Sequence, residues 1–224
     1  MDNLTPHLAN EYNAKIETTV PWYNFFHTET IDLVKTINPN PTSWLDTGCG
    51  TGTFAAKVLE SFHSKIKLVL ADPSEAMLDI AKEKLIGSAA TEFLLAGTQT
   101  INYPENSFHV ITAIQSHHYL TAAIRQEATL NCYKMLKPGG IYITFENIRP
   151  ITEKGITLGL QRWKQFQINH GKTETAAENH IKRFDVEYFP ISIMSHINTL
   201  TAAGFNTAEI LWVSNLQGGF YAIK

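Results

Sequence analysis

The sequence lacks most features of secreted, membrane and nucleic-acid-binding proteins. Its 224 residues include only two cysteines, Cys49 and Cys132, which is too few for a disulfide framework. No stretch approaches the roughly 20 apolar residues of a membrane-spanning helix, and residues 1–7 show no signal region. The formal net charge is −3, which argues against a broad surface for phosphates. We therefore expect a cytoplasmic protein that avoids membranes and does not bind nucleic acid directly.

Hydrophobic residues make up 44% and charged residues 17% of the chain, as in ordered globular proteins. From residue 43 onward, short apolar segments alternate with amphipathic ones. Such alternation predicts an α/β fold with a mainly parallel sheet and helices on both faces. The predicted parallel strands lie at 43–46, 66–72, 91–96, 108–114 and 141–145.

Three helices have sequence signals that predict their boundaries or their buried face. One is predicted to begin after an N-cap at Ser74, with Met77 on its apolar face. Another ends at Lys137-Pro138-Gly139-Gly140, after which a strand resumes. The last helix carries an apolar stripe of Met194, Ile197, Leu200 and Ala203. It precedes a hairpin of strands 208–213 and 220–223 joined through 215–219.

A glycine-rich turn follows the first strand, where Asp46-Thr47 precedes Gly48-Cys49-Gly50-Thr51-Gly52. Glycines there permit positive φ and close approach of the backbone to a ligand. A dinucleotide fingerprint would need its third glycine at Thr53, which argues against a nicotinamide cofactor. Asp72 lies 20 residues beyond Gly52, at the end of the second strand, where a carboxylate can accept both ribose hydroxyls.

This order of motifs resembles that of class I S-adenosylmethionine-dependent methyltransferases, and the corner Met135 to Gly140 resembles theirs too. The resemblance covers roughly residues 43–145. It implies a Rossmann-like sheet of seven strands with an antiparallel last strand and a small helical lid. It also implies that S-adenosyl-L-methionine is the cofactor and that Asp46 orients its ammonium group. The residues implied to line the cofactor belong to the turn or would contact its adenine and ribose. They are Thr47, Gly48, Cys49, Gly50, Gly52, Asp72, Pro73, Met77, Gly97, Thr98 and Gln99.

Two other segments resemble one branch, the carboxy-S-adenosylmethionine synthases that serve wobble-uridine modification in transfer RNA. These are Thr19 to Tyr23 and the stretch from Ala203 to Lys224. By this resemblance Tyr23 and Gln115 contact the cofactor. The branch also has an arginine that grips the extra carboxylate, for which Arg183 is the nearest candidate.

A histidine pair, His117 and His118, follows the fourth strand, where catalytic residues of the family usually lie. Because adjacent side chains of an extended segment point opposite ways, we expect only one of them to face the reacting methyl group as a general base. Candidate substrate contacts are Tyr12, Trp22, Glu146, Arg149, Trp163 and Arg183. No set of three or four metal ligands can be assembled from the sequence, so we expect no metal.

We accordingly predict a small-molecule methyltransferase that forms a single domain. The alternatives are a carboxylating enzyme of the branch named above and a non-catalytic cofactor-binding protein. The domain would comprise an N-terminal helical cap, a cofactor-binding core, a lid insertion, and a terminal helix with a hairpin (1–40, 43–148, 149–190 and 191–224). The oligomeric state stays open, with a homodimer as one option.

Overall fold

The computed structural model describes residues 3–62, 66–88 and 91–224. Seven strands form one sheet in the order β3-β2-β1-β4-β5-β7-β6. Their bounds are β1 Ser43–Thr47, β2 Lys67–Asp72, β3 Thr91–Leu95, β4 Phe108–Ile114, β5 Leu136–Asn147, β6 Thr207–Ser214 and β7 Gln217–Ile223. Only β7 runs antiparallel to its neighbours, while β1 to β5 pair in parallel. The expected mainly parallel sheet with an antiparallel last strand is therefore confirmed.

Helices cover both faces of this sheet. They are α1 Ala9–Thr19, α2 Tyr23–Ile37, α3 Thr53–Ser61, α4 Glu75–Lys84, α5 Ala122–Met135, α6 Glu153–Asn169, α7 Glu174–Ile181 and α8 Ile193–Ala203. Alternate strand residues point to opposite faces. Trp44 packs with α2 and α3 in one core, whereas its neighbour Leu45 packs with α5 and α8 in the other. This layering leaves the carboxyl ends of the parallel strands open at one edge.

The strand order reverses between β1 and its two neighbours, β2 and β4. In doubly wound sheets this switch point opens a crevice at the carboxyl ends of the strands. The turn between β1 and α3 and the acid at the end of β2 both lie there. The topology thus places the glycine turn and Asp72 on the same edge.

Several predicted boundaries differ from the structure. The corner Lys137 to Gly140 lies within β5 and does not precede it, because Gly139 N donates to the carbonyl of Lys224 and ties this segment to the sheet. Met194 is 61% exposed, and the inward side chain of α8 at that end is His196. The hairpin turn is shorter than predicted, since only residues 215–216 separate β6 from β7.

The stretch 149–190 contains α6 and α7, which match the predicted helical insertion. Trp163 of α6 is 1% exposed and donates its Nε1 hydrogen to the carbonyl of Thr19 at 2.6 Å. Its ring packs edge-on against His180 of α7, with centroids 4.8 Å apart. The insertion is therefore joined to the N-terminal helices beside the open edge of the sheet.

Candidate active site

A cleft of about 460 Å³ opens at the carboxyl ends of β1, β2 and β4. Its walls come from the glycine turn, the start of α4, the loops after β3 and β4, and the segment preceding α1. The lining residues are Asn3, Leu4, Thr5, Tyr12, Gly48, Gly50, Asp72, Pro73, Ser74, Met77, Gly97, Thr98, Gln99, Ile114, Gln115, Ser116, His117, Tyr119 and Leu120. Most of the predicted cofactor contacts are therefore brought together in one place.

The glycine turn places backbone close to the cleft. Gly48, Gly50 and Gly52 all have positive φ, between 54° and 71°. A Cβ on Gly48 would lie 2.4 Å from that of Ser116, and one on Gly52 would lie 3.1 Å from that of Ala81. A Cβ on Gly50 would meet nothing within 4 Å. Packing therefore excludes side chains at Gly48 and Gly52, whereas Gly50 leaves room at the cleft.

Asp72 joins the glycine turn to the start of α4. Its Oδ2 accepts from Gly50 N and its Oδ1 accepts from Ser74 N, both at 2.9 Å. Burial raises the pKa of the Asp72 carboxyl, and these two backbone hydrogen bonds oppose that rise. Each carboxylate oxygen has a further lone pair. Asp72 can therefore fix the turn and still accept hydrogen bonds from a ligand.

Asp46 lies deeper than Asp72, at the end of β1, and is 2% exposed. It accepts a hydrogen bond from Thr112 Oγ1 at 2.7 Å, and burial raises the pKa of its carboxyl to about 7. It lines a small pocket together with Tyr12 and Tyr23 behind the glycine turn. Of these two tyrosines, Tyr12 also lines the main cleft, whereas Tyr23 does not.

The loop after β3 contributes Gly97, Thr98 and Gln99. Thr98 is buried, and its hydroxyl bonds to Thr47 Oγ1 and lies 3.0 Å from His117 Nε2. Gln99 borders the cleft, and its buried Oε1 has no hydrogen-bond partner among the residues described here. Thr47 and Thr98 therefore hold the loop in place, while the Gln99 amide oxygen stays unpaired beside the cleft.

Glu146 anchors the histidine turn that follows β4. Its carboxylate is completely buried and accepts from the backbone N–H of His117 at 3.0 Å and of His118 at 2.8 Å. It also lies 2.7 Å from His118 Nδ1 and accepts from Thr144 Oγ1 at 2.7 Å. Burial opposes ionisation, but the hydrogen bond from His118 and the nearby histidines lower the pKa of Glu146 to about 2. We predicted a substrate contact at Glu146, whereas its oxygens are occupied by the chain itself.

The two histidines differ in their surroundings. His117 borders the cleft, but both ring nitrogens are in contact with protein hydroxyls, of Thr98 at 3.0 Å and of Tyr142 at 3.1 Å. Burial lowers the pKa of His117 to about 4. His118 lines a second cavity, and its Nδ1 lies 2.7 Å from Glu146 Oε2. The two rings therefore border different cavities.

The second cavity, here named the side pocket, adjoins the cleft and shares Tyr12, Gln115 and Tyr119 with it. Its free volume is about 20 Å³. The remaining lining residues come from the N-terminal segment, α1 and its end, the histidine turn, the end of β5 and the insertion: Thr5, Pro6, Ile16, Thr19, Val20, His118, Asn147, Trp163, His180, Arg183 and Tyr188. Three predicted substrate contacts, Tyr12, Trp163 and Arg183, therefore lie here.

Other predicted contacts lie elsewhere. Trp22 is 62% exposed, has a left-handed backbone conformation before α2 and borders neither cavity. Arg149 forms ion pairs with Asp185 and Glu153 outside the cleft. Cys49 is buried behind the turn, beside Asp46. Trp22 precedes α2, Arg149 follows the end of β5, and Cys49 lines the small pocket of Asp46, so none of the three borders the cleft.

Sequence reasoning missed the N-terminal segment and Arg125. Asn3, Leu4 and Thr5 border the cleft, and Arg183 Nη2 donates to Leu4 O at 2.8 Å. Arg125 is buried and donates to the carbonyls of the histidine turn and beyond, namely His117, Leu120 and Phe189. A buried arginine within a helical stripe was the one available signal for Arg125, since such a charge needs several acceptors.

In the described part of the chain, none of the helices has the length and apolar character of a membrane span. Within the same residues, His, Cys, Asp and Glu side chains form no group of three or more that could hold a metal ion.

Residues 45–140, which contain the glycine turn, Asp72 and the histidine pair, match the family model described as a methyltransferase domain. This match identifies residues 45–140, less than half of the chain, as a methyltransferase domain. S-adenosylmethionine is the cofactor of such domains, and most residues that line the cleft lie within the matched range. The family match ends before the insertion and therefore does not identify the acceptor.

One relative of this methyltransferase is the ubiquinone/menaquinone biosynthesis C-methyltransferase UbiE of Escherichia fergusonii. The two are 34% identical over 114 residues, which cover 49% of this chain and 44% of that enzyme. The match thus spans less than half of the relative's length. Activity and substrate do not carry over on that basis.

Solved structures agree with the fold. A S-adenosylmethionine-dependent methyltransferase from Aquifex aeolicus is similar with a TM-score of 0.63 and 17% identity, over 94% of this chain and 97% of that one. The Haemonchus contortus phosphoethanolamine N-methyltransferase 2, in complex with S-adenosyl-L-methionine, is similar with a TM-score of 0.62 and 13% identity. The match covers 90% of this chain and 56% of that one. At these identities the likeness shows a shared methyltransferase fold.

Proposed function

We propose that this protein transfers the methyl group of S-adenosylmethionine to a small-molecule acceptor. The observation that carries the proposal is the placement of Asp72, whose carboxylate fixes the glycine turn at 2.9 Å and still borders the cleft. A small acceptor is supported by the side pocket, which has a free volume of about 20 Å³ and is lined in part by the insertion.

Three features of the cleft fit this cofactor. Asp72 can accept from the ribose hydroxyls. Gln99 offers a buried amide oxygen without a partner in the described chain, which suits the amino group of adenine. The open position at Gly50 leaves room for the cofactor against bare backbone, and Asp46 supplies a negative charge beneath it once deprotonated.

S-adenosylmethionine supplies an electrophilic methyl group, so the protein mainly has to align the acceptor, exclude water and remove a proton. We propose that His118 removes this proton at Nε2. Glu146 holds Nδ1 at 2.7 Å and stabilises the imidazolium that forms. His117 is the weaker candidate because both its nitrogens already contact protein hydroxyls.

Calorimetry with S-adenosylhomocysteine tests the cofactor site. We expect Asp72→Ala to weaken binding about tenfold or more, because hydrogen bonds to a charged group contribute about 1.5–3 kcal/mol. Asp79→Ala removes an exposed acid from α4, the helix that follows Asp72, and is the matched control. Failure of the wild-type protein to bind at about millimolar concentration would refute the cofactor assignment.

Turnover tests the proposed base. With methyl-labelled S-adenosylmethionine and a metabolite extract, His118→Gln should lower label transfer about 10²–10⁴-fold while cofactor binding persists. Equal activity of His118→Gln and wild type contradicts the base assignment. Binding without transfer to any extract favours the non-catalytic alternative.

The carboxylating alternative keeps one supporting observation, namely that Arg183 lines the side pocket next to the cleft. Native mass spectrometry decides it, since such an enzyme would retain a cofactor heavier than S-adenosylmethionine by a carboxylate.

We also propose that residues 1–224 act as one domain in the cytoplasm. The hydrogen bond from Trp163 to Thr19 joins the insertion to the N-terminal cap. Cys49 and Cys132 are free thiols, which suits a reducing compartment. Limited proteolysis and cell fractionation test the two statements.

A further inference from the structure

The side pocket contains polar groups that the fold does not use. His180 is 7% exposed and Tyr188 is 1% exposed. Both ring nitrogens of His180 and the hydroxyl of Tyr188 lack a hydrogen-bond partner within residues 3–62, 66–88 and 91–224. Burying such groups unpaired costs about 1–3 kcal/mol each. Three unused polar atoms on one wall therefore indicate a place for a hydrogen-bonding ligand.

Positive charge dominates the surroundings of that wall. Arg183 lines the pocket, and its guanidinium carbon lies 5.9 Å from the centre of the Tyr188 ring. Burial lowers the pKa of His180 well below its usual value, and the nearby charges of Lys172 and Arg183 lower it further. Burial, together with Lys15 and Arg183, likewise lowers the pKa of Lys172 to about 8. Cations crowded in this way favour a negative ligand.

The acids nearby do not cancel this charge at the pocket. Glu187 accepts from Arg183 Nε at 2.7 Å, but its side chain is 47% exposed. Glu11 pairs with Lys15 at 2.6 Å on the exposed surface of α1. Glu146, the buried acid on the other side, accepts hydrogen bonds from His118 Nδ1 and from two backbone N–H groups. His180 and Tyr188 thus line the same pocket as Arg183 and carry polar atoms that have no partner in the described chain.

We propose that the side pocket binds a carboxylate group of the methyl acceptor, held by Arg183, Tyr188 and His180. The inference rests on the proposed function and names the substrate class. A carboxylate is flat and accepts hydrogen bonds from a guanidinium, and the pocket, with a free volume of about 20 Å³, favours a small group. His118 lines the same pocket, so the proposal places the acceptor's nucleophilic atom near its carboxylate.

Calorimetry on protein saturated with S-adenosylhomocysteine tests the inference with two pairs of probes of equal shape. Acetate is compared with acetamide, and benzoate with benzamide. We expect at least one acid to bind about tenfold or more tightly than its amide. No preference in either pair overturns the inference and leaves the proposed function standing. If S-adenosylhomocysteine itself fails to bind, the proposed function fails, and the same titrations without it still decide whether the anion site exists.

Variants locate the bound acid. Tyr188→Phe removes only a hydroxyl that has no partner in the described chain, so the protein should fold normally while affinity for the acid falls about tenfold. Arg183→Gln should weaken it at least as much, although Arg183 also donates to Leu4 O. Arg162→Gln changes an exposed arginine of α6 and should leave binding unchanged. Unaltered affinity in Tyr188→Phe and Arg183→Gln places the acid elsewhere and overturns the inference.

The carboxylate could belong to the cofactor instead of the acceptor, and mass spectrometry of the cofactor released from native protein separates the two sources. Release of unmodified S-adenosylmethionine or S-adenosylhomocysteine supports the acceptor. Release of a cofactor with an additional carboxylate overturns that assignment.

Discussion

At the scale of single residues, the two acids of the cofactor site have different tasks. Asp72 is held by Gly50 and Ser74 and stays available at the cleft, whereas Asp46 is buried with a pKa raised by burial to about 7. Part of the Asp46 population is therefore protonated at neutral pH in the free protein. A cation bound beside it would favour the carboxylate.

We accordingly expect S-adenosylmethionine binding to release protons from Asp46, up to about half a proton per site at pH 7. Calorimetry in buffers of different ionisation enthalpy measures this number, and Asp46→Asn is the control that should abolish it. Identical heats in all buffers would show that Asp46 does not titrate with binding.

Gly50 and Gly139 offer a matched pair of substitutions. Both have positive φ and open space where a Cβ would lie, but only Gly50 borders the cleft. Either change to Ala should cost about 1 kcal/mol of unfolding free energy. Only Gly50→Ala should also weaken S-adenosylhomocysteine binding. Equal binding by the two variants would mean that the cofactor does not pass Gly50.

Local sequence was a good guide to residues of the glycine turn and to Asp72, because chain spacing and strand ends determine their positions. It was a poor guide to Glu146, since its sequence position does not reveal that four donors surround it. The position of Leu4 at the cleft, and its contact with the predicted substrate contact Arg183, were out of reach for the same reason. Their contact joins residues 179 positions apart.

At the scale of elements, the histidine turn after β4 depends on α5. Arg125 of that helix donates to the carbonyls of His117, Leu120 and Phe189, at 3.1, 3.0 and 2.5 Å. The first two acceptors belong to the turn, and the third belongs to the end of the insertion. Arg125 is therefore a positioning residue that fixes the histidine turn against the end of the insertion.

Arg125→Met should destabilise the protein by about 2–4 kcal/mol, because buried carbonyls lose a charged donor. It should also lower the turnover number more than it changes cofactor affinity, since the histidine turn loosens while the glycine turn remains. Urea unfolding and steady-state kinetics measure the two effects, with Arg162→Met as the exposed control. A variant with unchanged turnover would leave Arg125 with a purely structural role.

The elements themselves were largely predictable where periodicity was strong. The corner Lys137 to Gly140 was assigned to a break because Pro and Gly disfavour strands, yet the sheet continues through it with Gly139 bonded to Lys224. Helix α8 was predicted from its spacing, but Met194 is exposed and His196 is buried. In each case a contact with a distant element outweighed local preference.

At the scale of the whole molecule, burial of ionisable groups links stability to pH. Burial lowers the pKa of several histidines below the usual 6.5. The pKa falls to about 3 for His27, to about 4 for His7, His117 and His196, and well below 6.5 for His180. As pH falls below 6.5, the unfolded chain takes up protons that these folded rings do not, so stability falls. Asp46 has the opposite effect on stability. Between pH 7 and 3.8 its carboxyl keeps a proton in the folded state that the unfolded chain releases, so a falling pH favours the folded state.

The histidines outnumber Asp46, so the free energy of unfolding should fall as pH drops from 6.5 to 5. We expect at least about 1.4 kcal/mol per pH unit, the effect of one net proton. Below pH 4.5, Glu146 adds to the loss, since its folded pKa of about 2 lies under that of the unfolded chain. Urea titrations from pH 8 to 4 test the sign, and a flat or rising profile between 6.5 and 5 would contradict it.

The packing of Trp163 against His180 and Thr19 gives the molecule a natural optical reporter. The side pocket that His118 lines has a free volume of only about 20 Å³, so we expect the insertion to separate from the N-terminal cap as an acceptor enters. That separation would bring the Trp163 indole into water. Trp44 is fully buried in the core and Trp22 is already 62% exposed, so neither would respond. A transient red shift of tryptophan emission during acceptor entry, absent in Trp163→Phe, would therefore time the opening of the insertion in unlabelled protein.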